Sequence, residues 1–505
     1  MTPDPPSLRT SGDPYSVLSA APIAIVAAFI IAANVFLVGF RLQLPYPISP
    51  WEAGIVTDAW RMLQGESVYA AGAGHATHMY GPLTIMSLAG VFEFTGPTLL
   101  PGRVVSAISG AVVVILLAAI FSRGGRLALA VAVAILLAAN SRTGNYFIEA
   151  RPDMISALFA TLALIVLYLG SESKVRSSGL WLTLAGSGLM VVAVMFKQTA
   201  AVFAFVPLLA LLARFDGILV RARWEYAAIP VAGLLLAMGA VWVFAPGLWY
   251  AMVEVPAQYR ISALRAGRIA VELLASFPLF ILALTHWLLT DLRESLRSPR
   301  IRWLVATMIC AASSSVVAYA KEGGNINCLL PAILAFGAFC AWRAPLGLAI
   351  LRDVGRPPAT RMAVAALFAG LLFAQTYPLP GPLTREALAW GHGVDDRTKI
   401  IAEVRLLPGK VVSPDDPTIA LIAKAYAGRT AVFETDAVRW DPNRFDRIWA
   451  EIDSADYVIT MRPLKTMAGF GTEELTLLSR GFVKSGFTTT ATPVYELWRR
   501  LDRPL

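Results

Sequence analysis

Long apolar runs are the feature that most limits what this chain can become. The first, from Ser16 to Phe40, contains no charged side chain. A bilayer core needs about 20 apolar residues per helix, so this run is long enough to cross one. It is too long for a signal-peptide core and no cleavage pattern follows it, which predicts a retained helix. Ten similar runs follow, at about 103–121, 127–139, 154–170, 180–196, 200–213, 226–245, 269–290, 302–320, 328–342 and 362–377. The composition agrees: 57% of the 505 residues are hydrophobic and 15% are charged, against about 25% charged in an average soluble chain. The fold class predicted is an all-α polytopic membrane protein of about eleven transmembrane helices.

The net charge of +9 would suggest nucleic acid in a soluble protein. Here the Lys and Arg sit mostly in short loops at Arg123, Lys174, Arg214–Arg223, Arg293–Arg302 and Arg343–Arg361, so they orient the chain and imply no nucleic-acid partner. The positive-inside rule makes that face cytoplasmic. An odd number of spans then puts a short tail, residues 1–16, inside and the C-terminus outside. Cys310, Cys328 and Cys340 lie in or beside apolar runs without CxxC spacing, and the four histidines form no HExxH pattern. A disulfide framework and a cysteine-ligated zinc are not expected.

The opposite face is different in kind. It carries the long first loop, 41–102, the loop Glu149-Ala-Arg151-Pro-Asp153, the interruption at Lys197, the loop Tyr250–Arg268 and the stretch Lys321-Glu-Gly-Gly-Asn325-Ile-Asn327. Ionisable residues at a membrane face with no orientational job are costly unless they are solvated, paired or functional. Within the first loop, 54–63 has helical amphipathic spacing and is predicted to lie on the membrane surface, and 83–94 is too short to cross comfortably. Residues 379–505 read as a small outer α/β domain, with strands at 410–413, 430–433 and 456–460, helices at 416–426 and 445–452, and 494–498 closing the sheet. That domain has no GxGxxG or P-loop and reads as a lid or accessory unit.

Several short motifs occur in a telling order: Trp51-Glu52, Ala59…Leu63-x-Gly65…Tyr69, Tyr80-Gly-Pro-Leu83, Arg103-Val-Val-Ser106, Ala150-Arg-Pro-Asp153, Phe196-Lys-Gln198 and Lys321-x-Gly-Gly-x-x-Asn327. In that order and on one face, 17–378 resembles the GT-C membrane glycosyltransferases, the group of the protein O-mannosyltransferases, the lipid A aminoarabinose transferase and bacterial family-39-like enzymes. The resemblance implies a multi-pass protein of the bacterial inner membrane with its active site and C-terminal domain in the periplasm. It implies inverting transfer of a hexosyl or pentosyl group from a polyprenyl-phosphate donor to a glycan, lipid or protein acceptor. A carboxylate would serve as base on the acceptor hydroxyl, and cations would stabilise the departing phosphate.

On that resemblance Glu52 is the expected base, although relatives often carry Asp-Glu or Asp alone where this chain has Trp51-Glu52. Asp58 is the fallback, or simply the polar face of a surface helix. Asp153 matches a second outer-loop acid that assists the base or orients the acceptor; as an acid following proline it also suits a helix N-terminus. Arg151, Lys197 and Lys321 are candidate phosphate partners, with Arg103 and Arg260 beside them, or they snorkel to the interface. His78 and Tyr80 precede Gly-Pro-Leu83, where some relatives place a lysine near the donor phosphate. Asn325 and Asn327 would bind sugar hydroxyls or cap the following span. No cofactor is implied with certainty; two acids in one cavity could hold a divalent metal.

Two other classes fit a multi-pass chain. A transporter would show internal repeats and ionisable residues at span centres, whereas these charges cluster at outer ends. A lipid-linked polysaccharide polymerase or ligase would place its large outer loop late in the chain, whereas here it comes first.

Overall fold

The computed structural model describes residues 14–69, 75–122, 125–144, 146–213, 224–352, 357–376, 396–438, 443–461, 473–487 and 495–501. The long apolar runs form helices because no backbone polar group can stay unpaired in hydrocarbon. The first seven helices are α1 (Pro14–Leu42), α2 (Pro50–Leu63), α3 (Leu83–Thr95), α4 (Leu100–Phe121), α5 (Arg126–Thr143), α6 (Pro152–Glu172) and α7 (Arg176–Phe196). After a 3₁₀ segment, Gln198–Phe205, come α8 (Val206–Leu212) and α9 (Glu225–Phe244). The helices Ala263–Ala275, Pro278–Thr290, Pro299–Ala320, Leu330–Arg352 and Pro358–Gln375 complete this half.

Among the described residues, nine helices are long and apolar enough to span a membrane. The expected eighth run is a pair of helices bent by 87°, Ala263–Ala275 and Pro278–Thr290. The expected sixth is the shorter apolar piece Gln198–Leu212, which opens as a 3₁₀ turn where Lys197 leaves the helix in extended conformation. The chain is therefore a mostly helical multi-pass protein with a small C-terminal sheet. The expected domain junction at 378/379 and most of the tail 1–16 lie outside the described residues.

The first loop departs from the surface-helix expectation. Every residue of α2 from Glu52 to Ala59 is buried. Its apolar side, Ile55, Val56 and Ala59, packs on Ile85, Leu88 and Phe92 of α3. Its other side meets the C-terminal domain, where Phe433 and Thr430 lie so close to Gly54 that a Cβ there would sit 2.6 Å from the Phe433 ring. Arg61 donates to the carbonyls of Ala427 (2.9 Å) and Gly428 (2.7 Å), and Glu434 accepts from the Ala76 amide (3.0 Å). A residue that reads as exposed and polar on a lone helix is buried once two partners cover both faces.

The C-terminal sheet runs β1 (Val411–Val412), β2 (Tyr457–Met461), β4 (Tyr495–Arg500), β3 (Phe482–Lys484), with β1–β2 parallel and the other pairs antiparallel. The strand predicted at 430–433 is instead the start of the helix Ala431–Val438. The amides of Phe433 and Glu434 bond back to the Thr430 carbonyl, and the apolar Ala-Val-Phe run turns toward α2. A short apolar run fits either period, and here the docking partner decides it.

Arg61→Ala removes both carbonyl bonds to the C-terminal domain and strips Asp58 of its buried cation. Breaking a buried pair from one side costs about 3–5 kcal/mol. The expected outcome is a lower melting temperature and faster limited proteolysis of residues beyond 396, followed on gels of purified protein.

Candidate functional site

One buried ion pair frames the end of the helices that carries the long first loop. Arg103 Nε and Nη2 fork onto Glu52 Oε1 (2.8 Å) and Oε2 (2.7 Å). The amide of Ala150 donates to Oε1 (2.9 Å) and that of Ile48 to Oε2 (2.8 Å). The remaining donors of Arg103 reach the carbonyls of Arg41, Leu44 and Tyr46. Both side chains are fully buried. Each oxygen of Glu52 already accepts two hydrogen bonds, so a hydroxyl would have to displace a protein donor to reach it. Glu52 and Arg103 therefore serve here as a clasp joining α2, α4, the end of α1 and the segment before α6.

That clasp holds Glu149-Ala-Arg151 against α4, where Ser106 Oγ donates to the Glu149 carbonyl (2.6 Å). Pro152 holds Arg151 extended, at φ −132° and ψ 163°, and starts α6 with Asp153 in its first turn. Gly81 supplies a second requirement. A Cβ on it would lie 1.9 Å from the Met195 carbonyl, so only glycine lets this backbone rest on the end of α7. The contact sets Tyr80 beside Lys197, and Gln198 Nε2 reinforces it by donating to the Met79 carbonyl (2.7 Å).

Five expected residues meet there. Asp153 Oδ1 accepts from Lys197 Nζ (2.5 Å) and Asn327 Nδ2 (3.0 Å). Arg151 Nη2 donates to the Tyr80 hydroxyl (2.7 Å), and the Lys197 ammonium lies 5.6 Å from the centre of the Tyr80 ring. Arg151 is ringed by aromatic faces, with its Cζ 4.9 Å from Tyr146, 5.4 Å from Trp51 and 5.7 Å from Tyr80. Arg151 Nε and Asp153 Oδ2 are 3.4 Å apart, yet both are buried without a hydrogen bond. Asp153, Lys197 and Asn327 cap a cavity of about 530 Å³ whose walls are otherwise largely apolar. It runs along α6 from Asp153 to Leu169, about 24 Å at 1.5 Å per helical residue, and has Phe121 and Arg300 at its far end.

The other expected residues lie elsewhere. Asp58 pairs with Arg61 (3.0 Å) and accepts from Thr77 Oγ1 (2.8 Å). Burial pushes its carboxyl upward, but His78 and Arg61 outweigh that and hold it below the usual carboxylate range. His78 is enclosed by Tyr69, Tyr80 and Phe433. Lys321 donates to the Pro256 carbonyl (3.1 Å) and bridges to Ile261, Arg260 is exposed, and Asn325 caps the Ile326 amide. Lys321, Arg260 and Asn325 lie at or near the surface, Asp58 and His78 are buried beneath it, and none of the five lines the cavity. Among the described residues, no group of three His, Cys, Asp or Glu is placed to hold a metal ion.

Glu149, which opens the same polar loop as Arg151 and Asp153 but is not among the expected site residues, lies next to the cluster. Ser49 Oγ donates to its Oε2 (2.8 Å), and Arg151 Nη1 is 3.7 Å from the same oxygen. Burial pushes its carboxyl from the ordinary 4.5 up to about 7, with Arg151 and the Ser49 bond opposing and the Glu52 and Asp153 charges adding to the rise. The signal available in the sequence was its place two residues before Arg151 on the outer face.

No family model matches the sequence, and no curated protein does. Solved structures do match. ArnT of Cupriavidus metallidurans, bound to undecaprenyl phosphate, aligns over 94% of this chain and 98% of its own at 14% identity with a TM-score of 0.55. The oligosaccharyltransferase of Archaeoglobus fulgidus in its apo form aligns over 87% of this chain and 71% of its own, at 12% identity and a TM-score of 0.52. The archaeal oligosaccharyltransferase AglB of Archaeoglobus fulgidus, in complex with an inhibitory peptide and a dolichol-phosphate, aligns over 94% of this chain and 75% of its own, at 12% identity and a TM-score of 0.52. This is the GT-C fold. The alignments take in the C-terminal portion as well as the spans, so the GT-C likeness extends over nearly the whole chain.

Two outcomes follow from the geometry. Glu52→Gln leaves Arg103 buried without its counter-charge and should lower stability by about 3–5 kcal/mol, read as a drop in melting temperature that a simple loss of a catalytic base would not cause. Glu149 keeps its proton in the fold between pH 4.5 and about 7, where the unfolded chain releases it. The native state then binds more protons, so this group's contribution to stability is full at low pH and is lost as pH rises through 7. Glu149→Gln should flatten that decline in melting temperature between pH 5 and about 7.

Proposed function

We propose that the protein is an inverting glycosyltransferase that moves a sugar from a polyprenyl-phosphate donor to a cell-envelope acceptor at the periplasmic face of the inner membrane. The observation that carries this reading is the form of the cavity. A long apolar channel between membrane helices ends at Asp153, Lys197 and Asn327, with Arg151 behind them, 3.4 Å from Asp153. An isoprenoid phosphate has the same division, a long hydrocarbon chain with one anionic head. Its volume also falls within the 300–1,000 Å³ typical of small-molecule sites. The undecaprenyl phosphate of ArnT and the dolichol phosphate of AglB are ligands of the same chemistry on the same fold.

In this reading Lys197 and Arg151 take the phosphate and stabilise its charge as it leaves. Asp153 keeps Lys197 and Asn327 in position beneath the sugar, and the Arg151–Asp153 pair, whose facing atoms make no hydrogen bond, meets the polar groups of the donor. Tyr80 holds Arg151 from the first-loop side. The arginine-rich loops at the opposite ends of the helices orient the cavity head outward. The transporter reading gains nothing from this layout, because the paired charges stand at the head of the channel and not midway along it.

The test is release of polyprenyl phosphate by the full chain in nanodiscs, with a panel of polyprenyl-phosphate sugars and crude envelope acceptors. Wild type should release it with one sugar. Lys197→Ala should lower kcat by about 100-fold or more, the scale of losing one preorganised charge donor. Turnover unaffected by Lys197→Ala would remove the phosphate from this end of the cavity.

A further inference from the structure

Four carboxylates are buried in residues 14–376 among the described residues: Glu52, Asp58, Glu149 and Asp153. A base for a hydroxyl needs an oxygen that can accept the proton and a charge not already neutralised by a bonded cation. Three of the four fail this requirement. Glu52 is forked by Arg103 at 2.7 Å, Asp58 is bonded by Arg61 at 3.0 Å and Asp153 by Lys197 at 2.5 Å. Glu149 differs. Its nearest cation, Arg151 Nη1, is 3.7 Å away and makes no hydrogen bond to it, while a neutral hydroxyl, Ser49, is its side-chain donor. That bond occupies Oε2, and Oε1 accepts no hydrogen bond from a described residue.

We infer that Glu149 is the carboxylate that takes the proton from the acceptor hydroxyl, an inference that rests on the transferase reading above. The guanidinium of Arg151 links it to the cavity head, 3.7 Å from Glu149 and 3.4 Å from Asp153. In the step, the acceptor oxygen bonds to the anomeric carbon. The bond from that carbon to the phosphate oxygen breaks, its electron pair staying on the phosphate. The hydroxyl proton passes to Glu149 Oε1 and is lost to solvent before the next turnover. The products are the glycosylated acceptor and polyprenyl phosphate, with no other reactant.

The surroundings suit the task at neutral pH. Ser49 and Glu52 face Glu149 from the start of α2, Tyr146 and Arg151 from its own segment, Asp153 from α6, and Ser106 and Arg103 from α4, the last already bound to Glu52. Burial, with the charges of Glu52 and Asp153 adding to it, works against Arg151 and the Ser49 hydrogen bond. That leaves the carboxyl titrating at about 7. A general base is most effective when it titrates near the working pH.

The deciding experiment pairs turnover with infrared titration of the full chain in nanodiscs. Wild type should show a protonated-carboxyl band that disappears as pH rises through neutrality, and Glu149→Gln should lack it. Using the sugar donor that wild type turns over, Glu149→Gln should lower kcat/KM by about 100-fold or more, and Glu149→Asp should restore part of it. Ser49→Ala should retain turnover but move the acid limb of the pH profile upward. A Gln variant that keeps full turnover, or a wild type with no neutral band, would overturn the role of Glu149 while leaving the transferase reading standing. A neutral band present in a wild type that releases polyprenyl phosphate from no donor would instead overturn the transferase reading, and the base role with it.

Discussion

The Glu52–Arg103 pair is the interaction on which the first-loop end of the molecule depends. Two charges taken out of water recover the loss only when every donor and acceptor finds a partner. Here Glu52 accepts four hydrogen bonds, and the donors of Arg103 reach three backbone carbonyls besides the carboxylate. The partners come from the end of α1, the approach to α2, the start of α4 and the segment before α6. An incomplete network would leave a buried charge, so these four pieces assemble together or not at all. Arg151 and Asp153 owe their places to this arrangement, because the Ala150 amide is one of its donors.

A second constraint acts between the loop and the bundle. Gly81 lets the first loop touch the end of α7, where Lys197 breaks the helix. The break matters because it delivers an ammonium to the top of an apolar channel instead of to the lipid interface. Tyr80, Arg151 and Asp153 then share the charge. The result is a polar head on a hydrocarbon-lined cavity, a division that an amphiphile with one anionic group satisfies at both ends. The C-terminal domain contributes from above, since Arg61 and Phe433 hold α2 in place and so support the clasp indirectly.

Much of this was legible in the residues. Apolar runs of membrane length needed no partner to be recognised, because a helix that must satisfy its own backbone declares itself by length alone. Arg151, Asp153, Lys197, Tyr80 and Asn327 were marked by being ionisable or polar on one face, and the structure brings them together. The same signal marked Lys321, Arg260 and Asn325, which form the surface instead. Periodicity failed where a segment's environment has two sides: α2 reads as a surface helix until α3 and the C-terminal domain cover it, and 430–433 reads as a strand until it meets α2.

The roles of the acids show where sequence stops. Sequence by itself determined that this is a multi-pass helical protein, which face carries the arginines, and which few polar residues stand at the other. Those follow from transfer free energies that act on each segment separately. Only the tertiary structure decided which carboxylate is clasped and which is left open, because pairing depends on distances between residues as far apart as Glu52 and Arg103 or Asp153 and Lys197. Glu52 is paired with an arginine 51 positions away. Glu149, two residues from an arginine in sequence, keeps its hydrogen-bonding oxygen 3.7 Å from that guanidinium in space.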